Sequence, residues 1–187
     1  MSSTTLKYTS AAVLLAALSA CTTLAPKYTS MPANVTQLKD AGADAIKVGA
    51  FQAGNESVNS LTIRGGSYVS PYEGSYVNYL KEALRQELDD ARLLNPAANI
   101  EIDGILVRNE LNAAGFSTAD AVIEARFTVK RGGQIRYDQV KSAKYEWESS
   151  FVGAVAVPRA QQNYPVVVQK LLASLYSDPA FLAAIKK

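Results

Sequence analysis

Apolar and polar residues divide most of the chain into segments with one of two periods. Over residues 45–51, Ile46, Val48 and Ala50 alternate with Lys47, Gly49 and Phe51. A period of two sends successive side chains to opposite faces, so this segment predicts a strand with both faces partly apolar. Residues 59–64 predict a second, short strand, ended by Gly65-Gly66. The period then changes. Tyr76, Leu80, Ala83, Leu84, Leu88 and Ala91 recur three and four residues apart, which gathers them into one stripe of an amphipathic helix. Pro71 suits the first turn of that helix, and Asn95-Pro96 marks the loop beyond it.

Period two returns with Ile100, Ile102, Gly104 and Leu106 against Glu101 and Asp103. It recurs with Ile123, Ala125, Phe127 and Val129 against Glu124, Arg126, Thr128 and Lys130. Arg131-Gly132-Gly133 reverses the chain. A two-residue Gly132-Gly133 loop in plain register would set Val129 opposite Arg136 and mix the faces. A three-residue loop sets Val129 by Ile135, Phe127 by Tyr137, and Arg126 by Asp138 on the wet face, so that loop is predicted, with glycine in the left-handed region. Lys141 falls on the apolar parity, which predicts a bulge at residues 140–141 before Tyr145 and Trp147 resume. Val157, Ala160, Tyr164, Val167, Val168, Leu171, Leu172 and Leu175 predict a second long helix, with Pro165 in its first turn or kinking it. Asp178-Pro179 reads as an N-cap followed by proline at the first helical position, so a short helix closes the chain over 179–185. The order predicts an α+β fold: a two-layer sandwich, mostly antiparallel, with two main amphipathic helices on one face of the sheet.

The first 43 residues follow neither period. Residues 1–10 are polar and carry Lys7; residues 11–20, AAVLLAALSA, are uncharged and end in small side chains. That run is about half of the ~20 residues needed to cross a bilayer core, so it reads as the apolar centre of a signal peptide. The stretch after it is polar, sparse in large apolar residues and interrupted by Pro26 and Pro32. It predicts a flexible tether with a reach of about 25 Å, with room for a short helical turn over Val35–Lys39. The expected organisation is a signal over 1–20, a tether over 21–43 and one domain over 44–187.

Composition narrows the chemistry. The 187 residues include 19 basic and 17 acidic side chains, no histidine and one cysteine. A net charge of +2 without a basic cluster does not make a nucleic-acid surface. Without histidine there is no Ser-His-Asp triad, Cys-His dyad or His-ligated metal, and one cysteine makes neither an internal disulfide nor a Cys-rich zinc site. No cofactor and no metal are expected. The cysteine has a specific setting: Leu18-Ser19-Ala20-Cys21 resembles the lipobox of bacterial lipoprotein signals. A branched apolar residue followed by two small ones lets an extended backbone enter a peptidase site. The resemblance implies cleavage between Ala20 and Cys21, a diacylglyceryl thioether on Cys21 and an N-acyl chain such as palmitate. Three acyl chains, at ~0.8 kcal/mol per buried methylene, hold a protein at a membrane permanently. Thr22 stands where lipoproteins kept in the inner membrane usually carry aspartate, which implies the outer membrane, with the domain facing the periplasm.

Several motifs are candidates for contact or chemistry. Tyr68, Tyr72, Tyr76 and Tyr79 lie four, four and three residues apart, giving a stacking platform for a partner or, as aromatic stripes usually do, packing for a helix. Packing is the preferred reading. Glu146-Trp147-Glu148 would put Trp147 on one face of a strand and both carboxylates on the other, about 6.5–7 Å apart. A solvated sheet face accounts for that pair better than acid–base catalysis, which needs one carboxyl in a desolvating pocket. Asp89-Asp90 reads as a charged surface turn. Arg64-Gly65-Gly66 lacks the lysine and hydroxyl of a phosphate loop, and Ser57, Ser60, Ser149 and Ser150 have no activating base. Residues 151–157, FVGAVAV, are expected to be buried, with a partner-binding ridge including Phe151 as the other reading.

With these elements placed, the domain resembles small envelope lipoproteins of the ABC-transport-auxiliary, YajG-like and TolB amino-terminal kind. The resemblance rests on Val48–Phe51 (VGAF), Tyr79–Leu88 (YLKEALRQEL), Ile100–Leu106 (IEIDGIL) and Gln169–Asp178 (QKLLASLYSD). It implies a non-enzymatic binding or assembly component of the cell envelope, held to the membrane through Cys21 and contacting an envelope protein. Tyr68, Tyr72, Tyr76, Trp147 and Phe151 are the candidate partner contacts. An auxiliary subunit of a lipid- or solute-trafficking transporter is the alternative, and a carboxylate-based cell-wall enzyme a third. An apolar cavity above about 300 Å³ between helix and sheet would favour the transporter subunit; an exposed apolar ridge favours a protein partner.

Overall fold

A computed structural model describes residues 22–187; the signal segment, Ala20 and Cys21 lie outside the described residues. The chain runs through β1 (Thr22–Leu24), α1 (Pro32–Asp40), β2 (Ile46–Ala53), a 3-10 turn (Glu56–Asn59), β3 (Leu61–Ile63) and β4 (Gly66–Val69). It continues through α2 (Tyr76–Asp90), β5 (Ile100–Asn112), β6 (Thr118–Arg131), β7 (Gln134–Glu148), α3 (Gly153–Tyr176) and α4 (Pro179–Ile185). The main sheet has the order β2-β5-β6-β7, parallel at β2–β5 and antiparallel elsewhere. Helix α2 packs on β2 and β5, and α3 on β6 and β7. The result is the expected α+β sandwich. A smaller sheet, β1-β4-β3, adds to it.

Helix α2 begins later than Pro71. Ser75 is its N-cap, its hydroxyl accepting from the Asn78 N–H at 3.2 Å, and Pro71 sits in the preceding turn. The predicted stripe faces inward, with Tyr76, Leu80, Ala83, Leu84 and Leu88 all buried. Helix α4 starts as the sequence indicates: Asp178 accepts from the Ala180 N–H at 2.8 Å, and Pro179 needs no donor at the first position. Helix α3 starts earlier than the apolar stripe suggested, at Gly153, so Pro165 is interior and removes a ladder donor rather than opening the helix.

Three register expectations are corrected. The β6–β7 loop has two residues, Gly132 and Gly133, at φ 58° and 81°, with Arg131 opposite Gln134. An irregularity beside it pairs Lys130 with Ile135 and Val129 with Tyr137, absorbing the odd residue Arg136 in a bulge instead of a longer loop. Phe127 therefore opposes Gln139, and Thr128 rather than Arg126 opposes Asp138; Arg126 still reaches Asp138 diagonally at 2.5 Å. Pairing then runs unbroken through Lys141, so the bulge expected at 140–141 is absent. Lys141 keeps the inward parity because its ammonium meets Asp178 at 2.5 Å. In β2 a bulge between Val48 and Phe51 turns Phe51, not Ala50, onto the core side. Its ring fills the space over Gly104, where an added Cβ would meet it at 2.3 Å.

The largest departure is residues 22–43. They are not a tether. Thr22–Leu24 pair in parallel with Ser67–Val69, and Ala25, Tyr28, Val35, Leu38 and Ala43 are buried in the core. Pro32, read as a breaker, occupies the first turn of α1, where its missing N–H costs nothing. The segment is short of apolar residues, but Tyr28, Val35 and Leu38 go into the core, while Leu24 stays 60% exposed.

Candidate functional site

The fully buried Glu87 on α2 explains why the N-terminal segment docks. It accepts from Tyr28 Oη at 2.5 Å, the Met31 N–H at 3.1 Å and Asn34 Nδ2 at 3.1 and 3.3 Å. Burial raises its pKa above the usual glutamate value, and these hydrogen bonds oppose the rise. The segment also tracks α3 from Gln161 to its C-terminal end. Gln161 donates to Leu24 O at 2.9 Å, Gln169 to Thr29 O at 2.9 Å, and Gln37 to Tyr176 O at 3.0 Å.

The tyrosines are packing. Tyr68, Tyr76 and Tyr79 are buried with Tyr28 and Tyr164, their ring centroids 5.2–6.3 Å apart in mostly edge-to-face or tilted pairs. Tyr76 Oη donates to Tyr68 O at 2.9 Å. Tyr164 Oη donates to Asn109 Oδ1 at 2.9 Å, and Asn109 passes a hydrogen bond to Val58 O. As partner contacts, Tyr68 and Tyr76 are therefore corrected: burial leaves a partner nothing to touch. Trp147 is corrected for the same reason, buried beside Tyr145 with ring centroids 5.9 Å apart. Tyr72 is half-buried. Its hydroxyl accepts from the Tyr28 N–H, and it lines an open groove of about 380 Å³ with Pro71, Glu73, Lys81 and Arg85.

Phe151 differs. It is 66% exposed, and its ring lies 6.3 Å from that of Phe116, which is 84% exposed. Val152 and Val155 are exposed beside it, so the expectation that residues 151–157 are buried fails for Phe151, Val152 and Val155; Ala156 is fully covered and Val157 packs half-buried against the core. Two loops form this tip: 113–117 between β5 and β6, and 149–152 between β7 and α3. Arg64, at φ 52° in the β3–β4 turn, joins them through its guanidinium, donating to the Ala114, Gly115 and Ser150 carbonyls. The Ser149 N–H adds a bond to Ser117 O at 2.7 Å. Gly115 is required here, since a Cβ would meet Thr118 O at 2.2 Å. Arg64 thus has a structural task, not an anion to bind. Phe116 escaped sequence reasoning, its only signal being one large apolar residue amid small ones in a turn.

The outer sheet face is ionic. Lys47–Glu101 and Lys130–Asp103 each close at 2.6 Å, and Asp103 also accepts from the Ala50 N–H at the β2 bulge. Partial burial works to raise the Asp103 pKa, but Lys130 and the Ala50 N–H outweigh it and hold it low. Among the described residues no group of acidic or sulfur side chains is placed to hold a metal ion, and no helix is long and apolar enough to cross a membrane.

No family model and no curated protein sequence matches the chain. Its fold is similar to that of protein XCC0632 from Xanthomonas campestris, described under the family model DUF330. The TM-score is 0.55 at 13% identity, over 83% of this chain and 96% of that one. Looser likenesses include a candidate lipoprotein from Caulobacter crescentus CB15 (TM-score 0.49, 14% identity, 83% and 98% covered). Another is a minor lipoprotein from Acinetobacter baumannii (TM-score 0.40, 11% identity, 74% and 93% covered). The first likeness shows a shared fold and carries no site across.

Proposed function

We propose that this protein is an outer-membrane lipoprotein, anchored through acylated Cys21 and facing the periplasm, that works by binding an envelope protein rather than by catalysis. The observation that carries the reading is the Leu18-Ser19-Ala20-Cys21 box after an uncharged ten-residue run, placed one residue before an ordered strand. Cleavage before Cys21 would leave β1 and every later element in the chain. A binding role is supported by the packing: the layer between helices and sheet is filled by side chains such as Leu80, Leu84, Phe127 and Leu171, and large apolar side chains are exposed on the surface instead, Ile135 and Val140 on β7 among them. A non-catalytic role is supported by the electrostatics. Glu101 and Asp103, which line a hollow on the outer sheet face, each already have a lysine partner, as Glu82 has Arg85 in the groove beside Tyr72.

The test is Cys21→Ser expressed in a Gram-negative host with an alkyne-palmitate label. Loss of label and of membrane fractionation, with the domain still folded, is expected. Label or membrane pelleting that persists in the variant would overturn the anchor.

A further inference from the structure

We infer that the Phe116–Phe151 tip is a membrane-contact surface that enters the lipid interface beside the anchor. The inference rests on the Cys21 reading and deepens it, since it concerns how the domain sits once anchored.

Three observations point there. First, no tether separates anchor from domain. Cys21 precedes Thr22 by one peptide unit, about 3.8 Å between Cα atoms, and Thr22 is already paired with Ser67. Acyl chains on residue 21 therefore hold the nearest face of the domain against the headgroups.

Second, that face is the tip. Leu24, Thr29 and Gln37 meet α3 at Gln161, Gln169 and Tyr176 in turn, so the segment travels with the helix. Followed backwards, it heads for the start of α3, where Phe151, Val152 and Val155 stand exposed. The smaller sheet gives the same direction: Ser67 is next to the β3–β4 turn whose Arg64 clasps both tip loops. Strand spacing and an arginine's reach put Thr22 and the tip within roughly 20 Å.

Third, the tip has the composition of an interfacial surface. Residues 111–119 and 149–158 contain no charged side chain, although charged residues are frequent in the strands between them. Two exposed phenylalanines with valines beside them, rimmed by Ser117, Ser149 and Ser150, suit the boundary where apolar groups enter and hydroxyls stay wet. The two charged side chains that reach these loops, Arg64 and Arg159, are turned onto loop carbonyls: Ala114, Gly115 and Ser150 for the first, Ser149 for the second. The opposite end of the sheet is built differently, with Arg131, Arg136, Lys186 and Lys187 around one hollow. A domain standing on its tip keeps those charges in water.

The test uses the full-length lipidated protein carrying Phe116→Trp, with the native chain as the baseline for buried Trp147. It is reconstituted into vesicles of phosphatidylethanolamine and phosphatidylglycerol, with or without lipids brominated near the top of the acyl chain. The expected result is that bromolipid quenches the added fluorescence at least twofold while leaving the baseline nearly unchanged, and that iodide does not reach it. Acylated protein that floats with the vesicles but keeps an iodide-accessible, unquenched Trp at 116 overturns the tip inference and leaves the anchor standing. Shielding of that Trp in native envelopes but not on protein-free vesicles overturns it too, assigning the tip to a protein. A chain that carries no acyl groups overturns both.

Discussion

Two aromatic groups in this molecule are put to opposite uses. Five tyrosines, at 28, 68, 76, 79 and 164, lock α2 and α3 together and to the N-terminal segment. Phe116 and Phe151 lie beside each other, both exposed, on two loops that Arg64 joins. The residue with a hydroxyl is buried and the residue without one is exposed, the reverse of what hydropathy alone would assign. Tyrosine suits the buried group because several hydroxyls reach acceptors within it, as at Glu87, Tyr68 O and Asn109. Exposed phenylalanine has no such compensation in water, and this carries the proposal that the tip is a contact surface.

Substitutions can separate these uses. The largest effect is expected from Tyr164→Ala, which removes a ring wedged among three others and strips Asn109 of its donor. A loss of about 3–5 kcal/mol is expected in urea unfolding. A loss below about 1 kcal/mol would mean the cluster is loosely packed. Glu87→Ala should come next, at about 1–3 kcal/mol, because Tyr28, Met31 and Asn34 lose a buried acceptor. Proteolysis should then cut preferentially within residues 22–43, and uniform resistance there would count against Glu87 as the clasp.

The same residue gives a pH signature. Its folded pKa lies above the unfolded value of 4.5, so between the two the folded state holds a proton that the unfolded state has lost. Stability from this group falls as pH rises from about 4.5 through the folded value, and Glu87→Gln should flatten that slope. Asp178 behaves oppositely. Its hydrogen bond with Lys141 chiefly holds it down to about 2, helped by the Ala180 N–H and Tyr137, against a smaller cost of burial. Its stabilisation is complete above about 3.8 and is lost as pH falls toward 2. Asp178→Ala should cost about 1 kcal/mol at neutral pH, the usual worth of an N-cap, seen as a lower Tm, and should remove that acid limb.

The smallest effect belongs to the tip. Phe116→Ser with Phe151→Ser should move stability by no more than about 0.5 kcal/mol, the range of exposed positions. A drop as large as that for Tyr164→Ala would erase the distinction between the two aromatic groups.

Local periodicity carried much of this structure. The stripe of α2, the cap of α4 and the alternation in β5 and β6 are short-range facts, readable because each element must bury one face. The proposed lipobox, Leu18-Ser19-Ala20-Cys21, is legible too, being four adjacent residues. Tertiary structure decided what depends on partners distant in sequence. Pro32 opens a helix instead of breaking one, because Glu87, more than fifty residues later, offers Tyr28 and Asn34 a buried acceptor. Lys141 keeps its inward parity without a bulge because Asp178 meets it from another element. Phe116 and Phe151 form one surface only after the sheet brings two uncharged loops to the same end. A single chain pattern records which face of an element is apolar, but not which distant group will satisfy its polar exceptions or gather its exposed ones.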